Sequence, residues 1–276
     1  MASPLVTSAK RFIESFLLKS PRAYASLLEA AGRGSVEKRV FLRLVRPGWT
    51  VFDIGANRGL FTRLFWALTG PRGKVHAFEP VPATADVLQR SLSTAQARDI
   101  ALTRSAVGDH EGTVDIFMPG ADDGQVSLRQ HNMGSWSGAP VVKNFPVPMT
   151  TVDSYCARAD VRRIDFIKID VEGAEQLVLD GARTTLVRDT PLLFVEVCRT
   201  WLERFQASPE QIIISLLDAG YDAFIWQGDA GLQTIDVAAV RTGTRLPYDD
   251  VSANMLCGRT AKHGPLLAAL VRDFAR

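Results

Sequence analysis

Apolar positions along the chain follow two alternating periods. Short apolar or β-branched runs, typical of buried strands, occupy 50–55, 74–80, 100–108, 164–170 and 192–197. Apolar residues recur every three or four positions, as in helices, at 60–70, 82–95, 171–187, 208–220 and 264–275. Strands that alternate with helices of this length predict βαβ units and a parallel sheet.

Both ends of the chain and one internal stretch depart from this alternation. Residues 1–47 have the spacing of two or three helices, which end near Pro47-Gly48. The strand-like runs 221–227 and 253–259 have no obvious helix between them, so we expect one antiparallel strand at an edge of the sheet. Residues 113–160 form an irregular connection, and such long connections are often functional.

These patterns predict an α/β fold with a mostly parallel seven-stranded sheet flanked by helices. We expect residues 1–47 to form an N-terminal helical extension that covers the site. Residues 48–276 then form the ligand-binding domain, with an insertion at about 113–160.

Composition and charge narrow the class of protein. The chain has 276 residues, of which 46% are hydrophobic and 22% charged, as in ordinary globular proteins. A net charge of +2, without a long basic run, argues against a nucleic-acid partner. The cysteines Cys156, Cys198 and Cys257 are far apart and suit a reducing compartment. We see no signal peptide and no apolar stretch of membrane-spanning length, so we expect a cytoplasmic protein without stable membrane insertion. The sequence leaves the oligomeric state open, and a homo-oligomer is one alternative.

The most informative stretch is "VFDIGANRGLFT", residues 51–62. A buried strand ends near Asp53, the chain turns through Gly55, Asn57 and Gly59, and a helix begins at once. Glycines let the backbone approach a ligand closely, and a helix N-terminus offers N–H donors. Glu79 ends the second strand, 20 residues after Gly59, where a carboxylate can accept hydrogen bonds from two ribose hydroxyls.

The residues around this turn favour S-adenosyl-L-methionine over a dinucleotide. The turn reads "GANRG" and lacks the GxGxxG of dinucleotide sites. A carboxylate at Asp53 would repel a pyrophosphate but attract the cationic amino group of S-adenosyl-L-methionine. A tight turn without a ligand is the structural alternative.

Four segments, taken in order, resemble the FkbM family of S-adenosylmethionine-dependent methyltransferases: "VFDIGANRGLFT", "HAFEPVP", "SAVGDHEG" and "IDFIKIDVEGAEQLVLDGA". The resemblance covers roughly residues 48–200 and implies a Rossmann-like class I methyltransferase fold and O-methylation of sugar or natural-product hydroxyls. It implies cofactor contacts for Asp53, Gly55, Asn57, Gly59 and Glu79, for Ser105 and Ala106 at the adenine, and for Asp170 at the methionine portion. Glu37 is a weaker candidate for the same pocket.

Methyl transfer to a hydroxyl needs an in-line nucleophile and a group that takes its proton. Candidate catalytic residues are Asp170 and Glu172 after the fourth strand, Glu196 near the end of the fifth, and His131 in the insertion. Glu172 also suits a helix N-terminus, and His131 suits a surface loop. The three carboxylates could instead hold Mg²⁺, which prefers oxygen ligands.

Three other functions stay open at this point. A nicotinamide-dependent oxidoreductase would need a GxGxxG turn, and a non-catalytic nucleotide-binding module would need a blocked pocket. An N-methyltransferase of a small molecule or protein is the main alternative among methyltransferases. We expect a small-molecule or glycan acceptor, whose identity the sequence does not specify.

Overall fold

We describe the protein from a computed structural model, which covers residues 17–119, 126–130, 142–228, 231–244, 246 and 254–274. His131 lies outside the described residues, as do residues 1–16 and most of the centre of the predicted insertion. The predicted catalytic role of His131 therefore stays a prediction.

A large mixed sheet forms the centre of the molecule. Its strands are β1 (Thr50–Ile54), β2 (Lys74–Phe78), β3 (Ile100–Thr103), β7 (Phe166–Ile169), β8 (Leu192–Glu196), β9 (Ala223–Gly228), β10 (Gly231–Thr234) and β11 (Asn254–Gly258). Their order across the sheet is β10-β9-β11-β8-β7-β1-β2-β3. The five adjacent strands β3, β2, β1, β7 and β8 are parallel to one another. The chain proceeds from β1 outward through β2 and β3, and then places β7 and β8 on the other side of β1, which is the doubly wound α/β arrangement. The predicted Rossmann-like α/β fold is confirmed.

The far end of this sheet differs from the prediction in two details. Among the described residues this sheet has eight strands, one more than expected, because β10 adds to the edge antiparallel to β9. β11 runs antiparallel as expected, but it lies between β8 and β9 and not at the edge. The apolar sequence "NMLCG" is consistent with this interior place, since all five residues of β11 are buried.

Helices cover both faces of the sheet. In chain order they are α1 (Pro21–Ala30), α2 (Val36–Leu44), α3 (Leu60–Thr69), α4 (Pro82–Ser91), α5 (Thr94–Asp99), α6 (Val152–Arg158), α7 (Glu175–Asp180), α8 (Arg183–Asp189), α9 (Arg199–Glu203), α10 (Pro209–Asp218), α11 (Val237–Arg241) and α12 (Thr260–Phe274). The single helices predicted at 82–95 and 171–187 are each divided in two. None of the described helices combines the length and the apolar composition that crossing a membrane requires.

The N-terminal helices share a core with the sheet. Phe41 of α2 is fully buried and contacts Phe65 of α3, Phe166 of β7 and Phe194 of β8, with ring centroids 4.7–5.8 Å apart. Burying aromatic rings in this way stabilises the docked position of α2 against the sheet. The predicted boundary at residue 47 lies between α2 and β1, and the role of residues 1–47 in covering the site stays a prediction.

A second, three-stranded sheet lies beside the carboxyl edge of the first. It consists of β4 (Ala106–Val107), β5 (Gly112–Pro119) and β6 (Val142–Thr150), in the order β4-β6-β5. Ile116, Val147 and Met149 form a small apolar core beneath it, together with Val81 and Ala106. The described part of the predicted insertion is therefore a long antiparallel hairpin followed by α6.

Candidate functional site

The candidate site is a cleft at the carboxyl ends of β1, β2 and β7. It is open to solvent, and its lining combines apolar side chains with a few polar groups, as small-molecule sites do. Residues singled out from the sequence form much of its lining: Gly55, Asn57, Glu79, Ser105, Ala106, Asp170 and Glu172. Apolar side chains line the remainder, including Ile54, Phe78, Val107, Ile116, Val126 and Leu128. A polar floor beside an apolar wall suits a ligand with a ribose and a flat aromatic base.

The turn after β1 is held close to the turn after β7. Gly55 has a φ of +79°, and a Cβ atom there would collide with the carbonyl oxygen of Asp170. Gly59 has a φ of +75°, and its Cβ would collide with Leu88 of α4. Asn57 also has a positive φ, of 48°. Both glycines are thus required by backbone conformation and by close approach, although Gly59 itself does not line the cleft.

We expect Gly55→Ala to lower the free energy of unfolding by more than about 2 kcal/mol, because its methyl group must displace the Asp170 carbonyl in the turn after β7. Gly48→Ala is the matched control, since Gly48 has a φ of +83° and nothing within 4 Å of its Cβ position. The control should lose about 1 kcal/mol, the cost of the φ angle alone. Urea unfolding measures both, and equal losses would show that the close approach to Asp170 adds nothing.

Glu79 lies in the cleft and is anchored by backbone donors. Its Oε2 accepts a hydrogen bond from the N–H of Asn57 at 2.8 Å, and its Oε1 accepts one from the N–H of Val81 at 2.9 Å. Each carboxylate oxygen retains a lone pair for a further donor. Burial raises the pKa of Glu79 to about 7, although the two N–H donors act in the opposite direction. Glu79 is therefore oriented, and a ligand with two hydroxyl donors would favour its ionised form.

Asp53 lies beneath the cleft and does not line it. Its side chain has no exposed surface; Oδ2 accepts a hydrogen bond from the hydroxyl of Thr62 at 2.6 Å, and Oδ1 lies 3.5 Å from Nζ of Lys168. Burial raises the pKa of Asp53, against the effect of Lys168. The predicted direct contact with a ligand amino group would need Asp53 to change its partners. In the structure Asp53 pairs with Lys168, which in turn contacts Asp170 at the cleft.

Lys168 is the main residue that the sequence analysis did not single out. It is buried in β7, where Nζ donates to the carbonyl oxygen of Gly55 at 3.2 Å and lies 3.1 Å from Oδ2 of Asp170. Burial alone lowers the pKa of Lys168, but the carboxylates of Asp170 and Asp53 outweigh it and raise the pKa overall. Lys168 therefore stays charged and ties both turns together. A lysine within the apolar run "FIKI" is the signal that could have revealed it.

The acids Asp170, Glu172 and Glu196 form one cluster. Their nearest carboxylate oxygens all lie within 4.8 Å of one another. Burial raises the pKa of Glu196 well above its ordinary value, and the carboxylates of Asp170 and Glu172 add to this effect. The predicted Mg²⁺ role stays a prediction, and Lys168 supplies one positive charge beside Asp170.

Glu175, also missed, fixes the turn that carries the acid cluster. Its buried Oε1 accepts hydrogen bonds from the N–H groups of Val171 and Gly173, and burial raises its pKa to about 7. Glu172 in the same turn has a φ of +58°. A carboxylate at the first position of α7 lies at the positive end of the helix dipole, and it also holds the loop that precedes the helix.

The remaining predicted residues occupy two different places. Ser105 and Ala106 line the cleft opposite Asp170, but the Ser105 hydroxyl donates to the carbonyl oxygens of Ala106 and Pro148. Ser105 therefore shapes the wall and is already engaged as a donor. Glu37 does not line the cleft; its Oε1 accepts hydrogen bonds from Gln227 at 3.2 Å and Asn254 at 3.3 Å.

Comparison with known proteins identifies the family. Residues 53–223 match the family model described as the methyltransferase FkbM domain. The chain is similar to "2-O-methyltransferase NoeI" of Sinorhizobium fredii, with 28% identity over 191 residues, 66% of this chain and 76% of that protein. It is also similar to "31-O-demethyl-FK506 methyltransferase FkbM" of Streptomyces tacrolimicus, with 29% identity over 161 residues, 50% of this chain and 60% of that protein.

A solved structure, methyltransferase FkbM from Methylobacillus flagellatus, aligns with a TM-score of 0.47 and 16% identity, and covers 90% of this chain and 59% of that chain. The match to the family model includes the turn after β1, Glu79 and the acid cluster, and it confirms the resemblance drawn from the sequence. Because that match spans more than half of the 276 residues, the chain belongs to the FkbM family of S-adenosylmethionine-dependent methyltransferases.

Proposed function

We propose that this protein transfers a methyl group from S-adenosyl-L-methionine to a hydroxyl group of a sugar or a small metabolite. The observation that carries the proposal is the placement of Glu79, with both oxygens anchored and a lone pair free on each, in one cleft with Asp170 and Glu172. Glu196 does not line the cleft but clusters with these two acids. The names of two relatives, a 2-O-methyltransferase and a 31-O-demethyl-FK506 methyltransferase, favour oxygen as the accepting atom.

The residues of the cleft fit the cofactor. Glu79 would accept hydrogen bonds from the ribose hydroxyls, and the apolar wall around Ala106, Val107 and Ile116 would cover the adenine. Asp170, with a side chain 38% exposed, would face the positively charged methionine portion. The buried acids below and beside the cleft give this region a negative potential that favours a sulfonium cation.

The cofactor supplies an electrophilic methyl group, and the chain's own residues must orient the acceptor and take its proton. Glu196 is our candidate for the proton acceptor, since burial and the neighbouring acids raise its pKa and make its carboxylate a stronger base. Asp170 would hold the acceptor hydroxyl beside Glu196. Lys168, which contacts Asp170, is a positioning residue in this scheme.

The cofactor assignment is tested by calorimetric titration of the purified protein with S-adenosylhomocysteine, NAD and NADP. We expect S-adenosylhomocysteine to bind with a dissociation constant in the micromolar range, about −8 kcal/mol. The two nicotinamide cofactors should bind at least about a hundredfold more weakly, since Asp170 would repel a pyrophosphate and the turn after β1 lacks the GxGxxG that binds one. Binding of NAD alone would overturn the proposal.

A further inference from the structure

Next to the cleft, a row of polar side chains crosses four strands on one face of the large sheet. Asp170 follows Ile169, which pairs with Val195, so Asp170 lies beside Glu196. Glu196 pairs with Asn254 of β11, and Asn254 pairs with Gln227 of β9. Directly paired residues point to the same face of a sheet, with Cβ atoms about 5 Å apart. We call Asp170, Glu196, Asn254 and Gln227 the polar row.

The N-terminal helices close the far end of this row. Phe194, Leu256 and Ile225 lie two residues from Glu196, Asn254 and Gln227 along the same strands, and therefore on the same face of the sheet. They belong to the apolar core that also contains the buried residues of α2. Glu37 precedes the buried Phe41 by one helical turn, so both lie on the side of α2 that faces the sheet. Glu37 accepts hydrogen bonds from the side-chain amides of both Gln227 and Asn254, which fixes the direction in which each amide points.

Fixing these amides leaves hydrogen-bond acceptors without donors. Oε1 of Gln227 and Oε2 of Glu196 are buried, and neither has a hydrogen-bond partner among the described residues. A buried acceptor without a donor is costly, so each oxygen favours a ligand that brings an O–H or N–H group. Strands lie about 4.8 Å apart, so β8 and β9 are separated by about 10 Å, and Asn254 of β11 lies between the two side chains.

Charge restricts the ligand further. The row and its closing helix carry the carboxylates Asp170, Glu196 and Glu37, and Lys168 offsets one of them. A phosphorylated or carboxylated acceptor would be repelled at this place. An apolar alcohol with one hydroxyl would leave the oxygen of Gln227 without a donor.

We infer that the polar row is the acceptor subsite, and that it selects an uncharged acceptor with at least two hydroxyl groups, such as a sugar ring. One hydroxyl donates to Glu196 and is the site of methylation, and a second hydroxyl donates to Oε1 of Gln227. This inference rests on the proposed function for its reaction, but the binding it describes is measurable without methyl transfer.

Saturation-transfer NMR on the full chain tests the subsite, with a panel of methyl hexopyranosides and methyl 6-deoxyhexopyranosides as probes and cyclohexanol as the one-hydroxyl probe. We expect at least one sugar to bind more tightly than cyclohexanol, and Gln227→Met to weaken that sugar about tenfold. Gln233→Met is the matched control, because Gln233 is an exposed glutamine on the neighbouring strand β10. The control should bind the sugar like the wild type.

Monodeoxy forms of the bound sugar guard against a variant that disturbs the fold. One monodeoxy sugar should bind the wild type about tenfold more weakly than the parent sugar does. The same monodeoxy sugar should bind the wild type and Gln227→Met equally, because the deoxy sugar and the variant each remove one partner of the same hydrogen bond. Equal effects of Gln227→Met and Gln233→Met, or a preference for cyclohexanol, would overturn the subsite. Titration with S-adenosylhomocysteine in the same samples reports on the proposed function separately, because Gln227 does not line the cofactor cleft.

Discussion

Replacing Lys168 with methionine is expected to lower the free energy of unfolding by about 3–5 kcal/mol, the usual cost of removing one partner from a buried ion pair. The substitution leaves Asp53 fully buried with Thr62 as its remaining side-chain donor, and it leaves Asp170 without its cation. It also removes the hydrogen bond that ties the Gly55 turn to β7. Urea unfolding followed by circular dichroism measures the loss.

The pH dependence of that loss identifies its cause. Burial already raises the pKa of Asp53, and without Lys168 the pKa rises further, so Asp53 takes up a proton in the folded variant. A raised folded pKa contributes stability at low pH that is lost as the pH rises. The difference between Lys168→Met and the wild type should therefore be larger at pH 8 than at pH 5.5.

Two further variants separate charge from packing. Asp53→Asn combined with Lys168→Met should recover part of the loss, since the uncompensated charge is gone. Lys143→Met, at an exposed position of β6, should change the free energy of unfolding by less than about 0.5 kcal/mol. If Lys168→Met unfolds at the same urea concentration as Lys143→Met, the buried ion pairs do not stabilise the site.

Local sequence patterns predict the part of the site that depends on single turns. The run "VFDIGANRG" predicts a strand, a glycine turn and a helix, and the structure has all three in β1, Gly55 to Gly59 and α3. Glu79 is placed equally well, because parallel strands end at one edge of a sheet. These features depend on residues within one βαβ unit, so their geometry follows from the order of elements.

Features that depend on residues far apart in sequence could not be predicted in this way. The sequence predicts Asp53 as a ligand contact, but it does not indicate the pairing of Asp53 with Lys168. Lys168 comes 115 residues later, in a strand that only the sheet order brings beside β1. Gln227 and Asn254 belong to no sequence motif, and they lie beside Glu196 only because β11 inserts between β8 and β9. Strand order is set by the packing of whole helices and strands, which a single sequence does not display.

Glu79→Gln is expected to weaken S-adenosylhomocysteine binding by about ten- to a hundredfold, the effect of replacing charge-assisted hydrogen bonds with neutral ones. The proposal places both ribose hydroxyls against this carboxylate. Isothermal titration calorimetry at pH 8 measures the change, with Glu203→Gln as a control at an exposed acid of α9. The control should bind like the wild type.

The pH dependence of binding distinguishes a ribose-binding Glu79 from one that only anchors the turn. Burial raises its pKa from 4.5 to about 7 in the free protein, so its contribution to folding stability is present below pH 4.5 and is lost as the pH rises through 7. Hydroxyl donors favour the ionised form, so the affinity for S-adenosylhomocysteine should increase as the pH rises from about 6 to 8, and binding near pH 6 should release a proton. Titrations in buffers of different ionisation enthalpy detect that proton. Glu79→Gln should abolish both the proton release and the pH slope; a slope that survives the substitution would assign the titration to another group, such as Glu175, whose pKa is also about 7.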